Sequence, residues 1–125
     1  MDLIERYLQN LHTISQLTAA DYSGKKKVRK NNKLSTENRQ IATDIELHFP
    51  ELKAPFSALL ADENWKVRCQ AAHHMLEVMN YPPAERKKAL NEIRAVIKMD
   101  ILVESLGNKM WLQQWYKQHP EDAKL

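Results

Sequence analysis

Two glycines, one cysteine and no long apolar run set the first bounds on this 125-residue chain. With glycine confined to Gly24 and Gly107, tight β-hairpin turns lack their usual residue, and stretches of alternating polarity are few. Apolar residues recur instead at spacings of three and four, the mark of helices with one buried face. The lone cysteine, Cys69, excludes an internal disulfide and fits a half-buried, unreactive thiol in a reducing compartment. No window approaches the roughly 18 apolar residues of a membrane span. The start, Met1-Asp2-Leu3-Ile4-Glu5-Arg6, puts two acids ahead of any apolar stretch, unlike a secretory leader. These absences predict an all-α cytoplasmic protein of one compact unit, large enough to bury a core without disulfides or metal.

About six helices in antiparallel pairs account for the pattern. The first is expected over Leu3 to Leu17, with Leu3, Tyr7, Leu8, Leu11 and Ile14 inward, and Ala19 to Gly24 supplies turn chemistry. A second should start near Ser23 or Gly24 and end near His48, before Pro50; a break at Asn31-Asn32 is the competing reading. A short third helix fits Leu52 to Leu60, with Pro55 tolerated only in its first turn. Asn64 is a good N-cap for the fourth. On that helix Val67, Ala71, Met75, Val78 and Met79 share one arc, while Gln70, His73, His74 and Glu77 occupy the opposite, solvent-facing one. Pro83 can open the fifth at its first position, burying Leu90, Ile93 and Ile97 and pointing Arg86, Lys87 and Lys88 outward. The sixth should run from about Asp100 to Gln118 with Leu102, Leu106, Met110 and one of Trp111 or Trp115 inward, before a frayed tail over His119 to Leu125.

Charge is unevenly placed. Lys25, Lys26, Lys27, Arg29, Lys30 and Lys33 lie within nine residues with no acid among them, and without these six the formal total of +3 becomes −3. Such a band can be a solvated helix end, a dock for an acidic protein surface, or a contact for nucleic-acid phosphates, with Lys26, Arg29 and Lys30 as its test residues. Beyond Tyr22 it has no interleaved aromatic to stack a base.

Motifs for chemistry are missing. There is no glycine-flanked serine elbow and no phosphate-cradling glycine loop, and no signature surrounds the cysteine. His73 and His74 are adjacent on a helix and diverge by about 100°, so both cannot close on one ion. Neither a metal nor a cofactor is expected, and the chain reads as non-enzymatic. Trp111 and Trp115, one turn apart, suit anchors of the last helix, while Trp65 in the inter-helix turn is either an exposed interface anchor or half-buried against Leu60.

The segment from Leu59 to Leu76 joins two helices through an acidic turn, and Asp62, Val67, Arg68, Ala71, Ala72 and Leu76 in that order resemble one HEAT repeat. A structural role for Arg68 is expected, reaching back to Asp62 or a neighbouring carbonyl. With Asn38-Arg39 before it and Leu106 and Trp115 after it, the stretch from Leu34 to Trp115 is similar to a family of small bacterial HEAT-like domains of unknown function, whose members include candidate immunity proteins of polymorphic toxin systems. Ser105 and Gly107 partly replace that pattern's small residues in the last helix, and the basic band is not part of it. The resemblance implies a HEAT-like α-α superhelical stack that binds and neutralises a cognate toxin. Gln70, His73, His74 and Glu77 are the first candidate face, with Trp65 beside them and Lys26, Arg29 and Lys30 as the second. A nucleic-acid-binding adaptor using Lys25 to Lys33 is the alternative, and a subunit self-associating through its tryptophan-bearing ends is a third. Oligomeric state is left open by the sequence.

Overall fold

Helical periodicity is realised throughout a computed structural model of the chain, which describes residues 2–15 and 25–125 and contains no strand among them. Six α-helices follow in order: α1 (Leu3–Ser15), α2 (Lys25–His48), α3 (Lys53–Ser57), α4 (Trp65–Glu77), α5 (Pro83–Lys98) and α6 (Leu102–Gln118). Tighter 3-10 turns at Pro50–Leu52 and Ala58–Ala61 flank α3, and a third, Asp122–Lys124, follows α6. The fold is all-α, as expected. The turn expected over Ala19 to Gly24 lies outside the described residues. No described helix is long and apolar enough to cross a membrane.

Contacts divide the chain into two compact units, Met1–Phe56 and Ser57–Leu125. In the first, α1 packs on α2 around Tyr7, Leu11, Ile41, Ala42, Ile45 and Phe56, with the Tyr7 and Phe56 rings edge to face at 4.9 Å. A polar layer crosses this pair. Asn10 donates to the Asn38 side-chain oxygen at 2.8 Å, and Asn38 donates to the Tyr7 carbonyl at 3.1 Å. Both amides are buried, and their mutual bonds remove the penalty of leaving them dry and unpaired. At the rim Glu37 accepts from Arg6 and Asn10, which holds its carboxyl below the usual range. α2 runs unbroken through Asn31 and Asn32, so the alternative break does not occur. The third helix differs from expectation: five α-helical residues stand between two 3-10 turns, because Pro55 has no N–H to donate and the chain tightens on either side of it.

In the second unit α5 packs against both α4 and α6, and the short links at 78–82 and 99–101 make consecutive helices antiparallel neighbours. Local chemistry explains the boundaries. Asn64 Oδ1 accepts the Lys66 N–H at 2.9 Å, the expected cap, while Asp62 accepts the Asn64 N–H at 2.9 Å. Arg68 donates to the Asp62 and Glu63 carbonyls at 2.7 and 3.1 Å and to Glu92 of α5 at 3.1 Å, so one guanidinium ties turn to helix pair. Pro83 occupies the first position of α5. Asp100, at φ 56°, makes the sharp bend into α6. The core collects Val67, Ala71, Ala72, Met75, Leu76, Ala89, Leu90, Ile93, Val96, Leu112 and Trp115.

Two expectations about this unit are corrected. Arg86 does not point to solvent, and residues 119–125 do not fray. Arg86 pairs with the carboxylate of Asp122, which is 1% exposed and also accepts the Trp115 indole N–H at 2.8 Å. Burial pushes the Asp122 carboxyl up, but bonds from Arg86 and Trp115 and the fields of Arg86 and His119 outweigh it, and the net shift is downward. Arg94 adds a second tie, donating to the Tyr116 hydroxyl at 2.7 Å and the Leu125 carbonyl at 3.4 Å.

Candidate functional site

Hydrogen bonding decides which side of α6 faces in. At its start, the buried Ser105 hydroxyl accepts the Ile101 N–H and donates to the Val96 carbonyl, both at 2.8 Å. One turn on, the Asn108 amide donates to the Glu104 carbonyl at 2.7 Å, leaving its oxygen toward α4. There it meets His73 Nε2 at 2.7 Å and Cys69 Sγ at 3.6 Å. Since that oxygen only accepts, His73 carries its proton on Nε2 and turns Nδ1 toward Glu77, 3.7 Å away. Burial holds the imidazole below its ordinary pKa, against the opposing pull of Asn108 and Glu77. Burial, with Glu92 nearby, also raises the Cys69 thiol to about 11, so the thiol is inert at neutral pH.

Rings complete the inner face. His73 meets Trp111 edge-on at 4.4 Å, Trp111 stacks on Trp115 at 4.9 Å with 14° between planes, and Trp115 stacks on His119 at 3.8 Å. This four-ring column cross-ties α4, α6 and the segment beyond it. It carries the anchoring role expected of both tryptophans.

The face predicted on α4 is therefore partly covered. Gln70 and Glu77 are exposed, but His73 is half-buried beneath Trp111 and Asn108, and His74 is 8% exposed. The correction has a simple cause: α4 is packed by α5, by the Ala58–Ala61 turn and by α6 side chains, so little of its circumference reaches water. Trp65, at the first position of α4, is half-buried with Lys66 Nζ 5.8 Å from its ring centroid. In the other unit, Arg29 and Lys30 are exposed on α2, and Lys26 lies in the first turn of that helix.

The outer face of α6 is apolar. Leu106 and Met110, expected inside, are 56% and 61% exposed, and Val103 is 74% exposed. Their spacing of three and four puts all three on one stripe about 10 Å long. Sequence reasoning saw an apolar stripe here and turned it the wrong way. Gly107 lies on the stripe's edge, with open space where a Cβ would stand. No group of His, Cys, Asp and Glu among the described residues could hold a metal ion.

These features define an all-α protein with a cross-braced second unit and an uncovered apolar helix face. No family model matches the chain, and neither curated proteins nor solved structures give a significant match.

Proposed function

We propose that this chain is a non-catalytic protein-binding module whose docking surface is the outer face of α6. One observation carries this reading: Val103, Leu106 and Met110 form an exposed apolar stripe on a helix whose opposite side is already buried. A helix at a protein surface needs one apolar face for its own core, and a second such face marks an interaction surface. Met110 suits an interface because an unbranched thioether adapts to the shape it meets. Exposed Asp100, Lys109, Gln113 and Gln114 supply a polar rim. Bracing by Ser105, Asn108 and the ring column holds the helix rigid, which lowers the entropy lost on binding.

The specific partner we propose is a cognate toxin, the chain being the immunity protein that covers its active surface. The central motif from Asp62 to Leu76 and its likeness to a HEAT repeat support that step, and neutralisation by occlusion needs only a rigid scaffold and a complementary patch. Gln70, Glu77 and Trp65 would act as secondary contacts.

The test is a paired capture with nuclease treatment at moderate salt, using the native chain and the Leu106→Glu/Met110→Glu double variant. One stoichiometric protein should be held by the native chain and lost by the variant, with the melting temperature of the two chains alike. Expression of that captured protein should arrest growth, and co-expression of the native chain but not of the variant should restore it. Retention by the variant would remove α6 as the docking face; a captured protein without toxicity would remove the immunity reading.

A further inference from the structure

The first two turns of α2 present a second surface, in the other compact unit. Unbroken helix through Asn31 and Asn32 places Lys26, Arg29, Lys30 and Lys33 at i, i+3, i+4 and i+7, which is one face over about 10 Å of axis. No acidic residue stands in the first turn. Arg29, Lys30 and Lys33 are exposed, and none forms an ion pair with a described residue. The nearest acid along that face, Glu37, is already engaged by Arg6 and Asn10, and Lys33 acts on it only through the field. Like charges stacked at these spacings repel by a few tenths of a kcal/mol per pair.

We propose that this face binds the phosphate backbone of nucleic acid without reading sequence. The pattern favours phosphates over an acidic protein for a physical reason. A protein interface requires a desolvated apolar centre within its polar rim, and positions 26, 29, 30 and 33 contain none. Phosphates need only a row of cations that can replace condensed counterions. Positions 26, 29, 30 and 33 hold no aromatic residue to stack a base, so charge supplies their affinity and discrimination between sequences is absent. This face belongs to the first unit and the α6 stripe to the second.

The test is fluorescence anisotropy of a labelled 20-base-pair duplex of arbitrary sequence against the full chain across a salt series. Four phosphate contacts predict a log–log slope of about −3.6. Arg29→Glu/Lys30→Glu should cut affinity at low salt at least tenfold and halve the slope to about −1.8. Lys87→Glu/Lys88→Glu makes the same change in net charge on exposed positions of α5 and should leave the slope unchanged. Equal losses in the two variants would overturn the proposal, because net charge and not this face would then drive binding. Absence of duplex binding at low salt, or tighter binding of poly-glutamate at matched charge, would also overturn it, the latter in favour of an acidic protein partner. Circular dichroism confirms that each variant is folded.

Discussion

The two faces of α6 invert the usual assignment of polar and apolar residues. Inside are Ser105 and Asn108 together with Leu112 and Trp115; outside are Val103, Leu106 and Met110. The inner polar groups are tolerated because each has its partners: the serine bridges two backbone groups of the α5–α6 bend, and the asparagine satisfies an α6 carbonyl while receiving two groups from α4. A buried polar group with full hydrogen bonding is nearly free of penalty, whereas one left unpaired costs about 1–3 kcal/mol. Orientation of this helix is thus set by specific bonds and rings. Hydrophobicity alone would rotate it.

Breaking the inner face should have the largest effect. Trp115→Ala removes a ring stacked on two neighbours and strands one of the bonds to Asp122; we expect a loss of about 3–5 kcal/mol in urea unfolding. Ser105→Ala leaves the Ile101 N–H and Val96 carbonyl without their shared partner, and about 1–3 kcal/mol should be lost. Loss of less than 0.5 kcal/mol, on the order of an ordinary surface substitution, would show that the serine does not fix the helix.

Gly107→Ala sharpens the contrast from the outside. The added methyl meets nothing within 4 Å, so relief of glycine's helix penalty should raise stability by about 0.5–1 kcal/mol in the same assay. If the partner's backbone approaches closely at that edge, binding should weaken even as the domain is stabilised. Finally, acid should act through His73. Its folded pKa lies below the ordinary 6.5, so the unfolded chain takes up the proton first; the stabilisation is complete above pH 6.5 and is lost as pH falls through the folded value. Thermal melts of the native chain and His73→Gln should converge on acidification. A constant gap between them would refute this linkage.

Much of the framework was legible in the residues themselves. Asn64 before an apolar run, Pro83 after Pro82, and the arc of Val67, Ala71 and Met75 each carry a local physical meaning that the fold keeps. Arg68 was readable for the same reason, because its carbonyl partners lie five and six residues away. What sequence could not supply were pairings across long separations. Asp122 finds Arg86 36 residues back, and His73 finds Asn108 35 residues on. The first ties a charged tail down at a 3-10 turn, and the second takes His73 off the expected surface of α4. A helix with apolar residues on two sides gives periodicity no means of choosing between them, and Leu106 and Met110 were misplaced for that reason.

The stacked indoles of Trp111 and Trp115 have an optical consequence. Two indoles 4.9 Å apart couple their transitions, so the ultraviolet dichroism of the folded chain should change when the stack opens. Trp65, at the start of α4, does not belong to that stack. The protein therefore carries its own gauge of how α6 is seated, readable without a label and able to separate a variant that loses its partner from one that loses its last helix.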